Sequence, residues 1–88
     1  MLIEILGSGC AKCVETERRA RAAVKQAGVE AVVTHVTDVR AIGQRGVLAT
    51  PAVALDGAVK LSGAVPSVPE LVTLIINHVA AAEAAAKN

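Results

Sequence analysis

No phenylalanine, tryptophan or tyrosine occurs in the 88 residues of this chain. Any core must therefore be assembled from valine, isoleucine, leucine and alanine, which bury less surface per side chain than rings do, and modest stability is expected. The missing rings also remove the platforms on which nucleobases stack. Nine Lys+Arg against eight Asp+Glu leave a formal net charge of +1. No basic patch is available to follow a phosphate backbone, and nucleic acid is not an expected partner. Uninterrupted apolar runs fall short of the roughly 18 residues a bilayer crossing needs, so no membrane association is expected. The chain starts on an apolar, strand-like run without the basic leader or cleavage site of a signal peptide. A cytoplasmic protein is the resulting expectation.

Cysteine is scarce too, and its placement is informative. The two cysteines, Cys10 and Cys13, stand where the apolar run Leu2–Leu6 breaks at Gly7-Ser8-Gly9 and a helical pattern begins. The first turn of a helix presents unpaired N–H groups and the positive end of the macrodipole. A thiolate there is stabilised, and thiol pKa values in such motifs fall to roughly 3.5–7.5, against about 8.5 for a free thiol. In a reducing compartment a close pair of this kind is catalytic or metal-binding more often than a structural bridge. Gly7-Ser8-Gly9 lacks the third glycine of a dinucleotide fingerprint, and the chain is too short for that fold.

Along the chain, Met1–Leu6 reads as a strand. Ala11–Ala27 reads as a helix with Cys13, Ala20, Ala23, Val24 and Ala27 on its inner side, ended by Gly28. Glu30–Thr37, rich in β-branched residues, reads as a second strand. Asp38 caps a short helix, Val39–Gln44, stopped by Gly46. Thr50–Leu55 and Ala58–Leu61 flank Asp56-Gly57, the strongest short hairpin signal. A last helix opens at Ser67 with a capping box to Glu70 and Pro69 in its first turn. Leu71, Leu74, Ile75, His78, Val79 and Ala82 form its inward stripe, and residues 80–88 are expected to be a frayed helical tail. The order is β-α-β-α-β-β-α: an α/β domain over residues 1–88, with one mixed four-stranded sheet and three helices. Strands one and two should be parallel, and the last two antiparallel.

That order, with Cys-x-x-Cys after the first strand and Thr50-Pro51 opening the third, resembles the thioredoxin-like fold in its minimal, glutaredoxin-sized form. The likeness is closest to the small redox-active disulfide proteins. It is carried by Ile3–Cys13, by Gly46-Val47-Leu48-Ala49-Thr50-Pro51-Ala52, and by Asp56-Gly57 through Ser62-Gly63 to Ser67. The resemblance implies that Cys10 is the attacking thiolate and Cys13 the buried resolving thiol. It implies a cis Thr50–Pro51 bond lying against the dithiol, with the Thr50 backbone free to pair with an extended substrate. It implies thiol–disulfide oxidoreductase activity with no cofactor beyond a Cys10–Cys13 disulfide, and no metal. The implied partners are a thioredoxin-reductase-type electron donor and disulfide-containing target proteins, the protein acting as a monomer. Gly9 stands where thioredoxins carry tryptophan, and Ala11-Lys12 where they carry Gly-Pro, so the substrate groove should be shallow. Ser62–Val65 offers no carboxylate of the kind glutaredoxins turn toward glutathione.

Two further residues are candidates. Lys12, between the cysteines, either adds charge favouring the Cys10 thiolate at the substrate-binding face or is simply solvated. Glu4 has the spacing of the buried acid that, in thioredoxins, accepts the resolving thiol's proton; its plainer reading is a solvated strand carboxylate. His35 and His78 lie at no ligand spacing from the cysteines; one should be a strand-surface residue and the other a partly buried helix residue. The alternative function is a soft-metal carrier of Cu(I) type, because small copper chaperones also set Cys-x-x-Cys between strand and helix. Those domains place Met where this chain has Ser8, run β-α-β-β-α-β, and have no use for Thr50-Pro51.

Overall fold

The interior strand of the sheet is the first one in the chain. In the computed structural model, which describes residues 1–86, β1 (Leu2–Leu6) lies between β2 (Val32–Val36) and β3 (Ala52–Leu55), and β4 (Ala58–Ser62) closes the order β2-β1-β3-β4. β1 runs parallel to β2 and antiparallel to β3, and β3–β4 is an antiparallel hairpin. Three helices complete the described residues: α1 (Ala11–Ala27), α2 (Val39–Gln44) and α3 (Val68–Ala86). The α/β order expected from the sequence is the one observed.

Strand alternation divides β1 between two cores. Ile3 and Ile5 join Val53 and Leu55 against Ala20 and Ala23 of α1 and Leu71 and Ile75 of α3. Leu6 joins Ala52 and Ala54 on the opposite face, under Ile42 of α2 and Val47. Every buried apolar side chain is aliphatic or a cysteine, and Thr16 is buried with them, its hydroxyl donating to the Lys12 carbonyl at 2.8 Å.

Element ends follow local chemistry. Gly28 closes α1 at φ 68, donating its N–H to Val24 and Lys25. Asp38 caps α2 by accepting from the Arg40 N–H at 2.9 Å. Asp56 and Gly57 both have positive φ, 49 and 88, which suits the tight turn of a two-residue hairpin. Ser67 and Glu70 make the reciprocal capping box, at 3.2 Å each way. Lys60 is the extra residue of a β-bulge, since Val53 pairs with Leu61 while Ala54 pairs with Val59.

The differences from the sequence reading have physical causes. β2 is confined to Val32–Val36 because its partner β1 offers only Leu2–Leu6. β3 begins after Pro51, whose missing N–H cannot join a ladder. The tail expected to fray from residue 80 is helical as far as Ala86, in keeping with alanine's helix propensity, although Ala80 to Ala86 are exposed. Residues 87–88 of that expected tail lie outside the described residues. Ala82, placed in the inward stripe, is exposed. Taken as a helix, Val68–Ala86 is long and apolar enough to cross a bilayer, which a count of unbroken apolar runs had missed. Its Leu71 and Ile75 are packed into the core.

Two carboxylates, half-buried Glu15 and exposed Asp56, serve as ties. Glu15 accepts from Arg18 and Arg19, which hold its carboxyl down at about 2. Arg19 also donates to the Pro66 carbonyl at 3.0 Å, joining α1 to the approach to α3. Asp56 accepts from the Leu2 N–H at 2.7 Å and bonds His78 at 2.8 Å, and both contacts lower its carboxyl. Depressed carboxyl values stabilise the fold above the unfolded-state pKa of roughly 4, and that contribution disappears as pH falls through the folded-state value. The thermal midpoint is therefore expected to drop between about pH 4.5 and pH 2. A Glu15→Gln/Asp56→Asn variant should show a flatter profile over that range, measured by circular dichroism.

Candidate active site: the dithiol and the Thr50–Pro51 loop

The chain leaves β1 at Leu6 and reaches α1 through Gly7-Ser8-Gly9. Gly9 sits at φ 87, a region open to glycine, and turns the chain so that Cys10 becomes the N-cap residue of α1. The Cys10 carbonyl accepts from Val14 at 3.0 Å, while its side chain makes no capping bond to the backbone. Cys13, one turn on, points inward. Cys10 is exposed, Cys13 is fully buried, and their Sγ atoms lie 3.2 Å apart as free thiols.

Burial divides the pair electrostatically. The Cys10 thiol is lowered, first by the hydrogen bond from Cys13 and then by the backbone N–H groups of Cys13 and Lys12. Burial pushes the Cys13 thiol up, and its bond to Cys10 pushes in the same direction. Both shifts favour the shared proton on Cys13 and make Cys10 the more acidic sulfur of the two. Lys12 acts on Cys10 through its backbone N–H; its exposed ammonium is not among the groups that shift the thiol.

The third strand brings a second segment to the same place. The Thr50–Pro51 peptide bond is cis. Pro51 is buried while Thr50 is exposed, and the Thr50 N–H and C=O make no backbone hydrogen bond among the described residues. Gly7 lies where the two segments converge. A Cβ there would overlap Cys13 Sγ and would sit 3.7 Å from the Thr50 Cβ. This glycine is required for space rather than for φ, a role invisible in a sequence that reads it as a strand boundary. On the α2 side, Ser8, Val39, Ile42, Val47, Leu48 and Thr50 line an open cavity of about 260 Å³, with Leu48 fully exposed.

Glu4 is not brought to the dithiol. It alternates with Ile3 and Ile5 and so faces the α2 side of the sheet, whereas α1 covers the other side. It is buried, at 7 % exposure, and both carboxylate oxygens accept from Arg45 at 2.9 and 2.7 Å. The plainer reading of a solvated strand carboxylate does not describe it. Arg45, for which no sequence signal existed, has its own pKa raised by this carboxylate. His35, expected at a strand surface, is half-buried against α1, with Nδ1 3.3 Å from Glu17; His78, also half-buried, pairs with Asp56.

Among the described residues a helix follows the β3–β4 hairpin, which departs from the β-α-β-β-α-β order of the carrier alternative. Residues 1–76 match the family model described as a thioredoxin domain. The chain belongs to the thioredoxin family. It is 39 % identical over 71 residues to a thioredoxin of Methanocaldococcus jannaschii, covering 81 % of this chain and 81 % of that protein. A thioredoxin of Methanothermobacter thermautotrophicus is also 39 % identical over 71 residues, covering 81 % of this chain and 92 % of its own. Both matches support thiol–disulfide oxidoreduction as the general activity of this thioredoxin-family chain.

Two outcomes are expected. Alkylation of Cys10 should follow a pH midpoint below that of a free thiol, and Cys13→Ala, which removes the strongest lowering partner, should move that midpoint up; mass spectrometry of iodoacetamide-treated protein reads both. Gly7→Ala should destabilise the fold by about 1–3 kcal/mol through overpacking against Cys13, measured by denaturant titration.

Proposed function

We propose that this chain reduces protein disulfides through Cys10 and Cys13, as an electron relay in a reducing cytoplasm. The observation that carries the reading is the opposed perturbation of two thiols 3.2 Å apart, one exposed and lowered, the other buried and raised. The Cys10 thiolate attacks one sulfur of the target disulfide, the target S–S bond breaks, and the departing target sulfur leaves as a thiolate that takes up a proton. A mixed disulfide now joins Cys10 to the target. Cys13 loses its proton and attacks Cys10 Sγ, which forms the Cys10–Cys13 bond and expels the second target sulfur as a thiol. The target gains two electrons and the chain loses two. Closing the ring brings the sulfurs from 3.2 Å to about 2.0 Å, a short movement within a single helical turn.

Loss of the Cys10 thiolate, whose charge had favoured the proton on Cys13, removes one of the causes that raise Cys13. Formation of the mixed disulfide thus itself activates the resolving thiol. Thr50 supplies an unpaired backbone N–H and C=O to an extended target segment, in the manner of strand addition. Leu48 and Val39 give an apolar side chain of that segment a place to rest. Regeneration needs a two-electron donor of the thioredoxin-reductase type, itself a dithiol.

Cys13→Ser is expected to accumulate mixed disulfides through Cys10 when incubated with an oxidised protein target, visible as a reducible mass increase. Cys10→Ser should trap nothing; adducts through Cys13 would reverse the assignment.

A further inference from the structure

We propose that Glu4 and Arg45 are positioning residues whose bidentate pair, closed over the buried Glu4 carboxylate by a partly exposed Arg45, moors the start of the Gly46–Pro51 loop, so that Thr50 is presented at a fixed place beside the dithiol. The inference rests on the disulfide-reductase reading above and adds to it two residues that touch neither sulfur.

Glu4 sits in the interior strand, paired across the sheet with Thr34 and Ala54, where the backbone has least freedom to shift. Arg45 is the residue at which α2 ends, its N–H closing on the Ala41 and Ile42 carbonyls. The chain then turns at Gly46, φ 75, and Val47 enters the second core. From there only Leu48 and Ala49 separate it from Thr50. The far end of the segment is tied separately: the Ser62 hydroxyl donates to the Ala49 carbonyl at 2.8 Å, and the Gly63 N–H donates to Pro51 at 3.0 Å. A Cβ on Gly63 would come within 3.2 Å of the Ala49 Cβ, so this second tie is a close backbone approach. Between the two moorings, Leu48 and Thr50 are exposed and Thr50 is free of backbone partners. A segment held at both ends with open hydrogen-bonding groups between is what an added strand requires.

Energetics favour a geometric role. The Arg45 side chain is one-third exposed, and an ion pair open to solvent on one side contributes little to stability, so stability alone does not call for one here. The planar guanidinium fork, meeting both carboxylate oxygens at once, admits one relative arrangement of β1 and the α2 terminus. The same engagement directs the carboxylate to Arg45 on the α2 face, not toward Cys13 on the α1 face.

The test compares two substrates in the 88-residue chain: oxidised insulin, which must dock as a polypeptide, and a small aromatic disulfide, which need not. Glu4→Gln and Arg45→Met are each expected to raise KM for insulin about tenfold, as loss of positioning does. Turnover of the small disulfide should stay within about twofold, and the pH midpoint of Cys10 alkylation should not move. The double variant should be no worse than either single one, because both remove the same pair. Arg45→Lys, which keeps charge but not the fork, should fall between. Should Arg45→Met unfold at the assay temperature, Glu4→Gln carries the comparison, since the amide keeps the shape of the carboxylate while losing the charge and the second acceptor oxygen of the bidentate pair. The proposal is overturned if Glu4→Gln slows both substrates in parallel and shifts the pH profile while Arg45→Met leaves them unchanged, the pattern of a proton acceptor. It is equally overturned if insulin KM is unchanged in both variants. Wild-type protein that reduces neither substrate would instead remove the disulfide-reductase reading, and this one with it.

Discussion

The absence of a side chain at Gly7 is the constraint on which the site depends. Cys13 can be buried at the end of the interior strand only because nothing occupies the space its sulfur takes. Burial holds the proton on Cys13, the protonated Cys13 stabilises an ionised Cys10, and exposure of Cys10 makes that charge usable. The helix terminus contributes N–H groups to the same sulfur. Strand end, glycine gap and helix start are thus one device, in which a steric allowance in the backbone becomes a difference in acidity between two chemically identical groups.

The two faces of the sheet have separate tasks. One face, under α1 and α3, holds the larger aliphatic core and carries the dithiol helix. The other, under the short α2, is smaller and admits a charged pair beside Leu6, Ala52 and Ala54. A chain without aromatic side chains packs these layers with Ile, Leu, Val and Ala alone, and small residues such as Ala20 and Ala23 let α1 lie close to the strands. The Thr50–Pro51 segment leaves the second core at Val47 and arrives at the rim of the first beside Gly7, so both layers determine where it stands.

Most of the fold was legible because its signals are local. The capping box at Ser67, the Asp56-Gly57 turn and the Gly28 stop each act within a few residues, and each is found where the pattern put it. The cysteines were legible for the same reason. What escaped were relations between distant positions: Arg45 reaching Glu4 across 41 residues, His78 meeting Asp56 across 22, and His35 turned under α1. A single charge in an apolar strand announces that something is unusual about Glu4, but its partner is decided by which face a strand shows and where a six-residue helix stops. Ala82 was misplaced because the helical stripe continues in sequence past Ile75, the last buried residue of α3.

The bulge at Lys60 bears on how the molecule behaves in a crowded solution. β4 is an outer strand, and its far side carries backbone groups that a passing chain could zip onto. An extra residue throws the pleat out of step halfway along, and that residue is a cation. An intruding strand would find its ladder broken after two or three rungs, next to a charge that repels close stacking, so fibril growth from this side is interrupted at its first step.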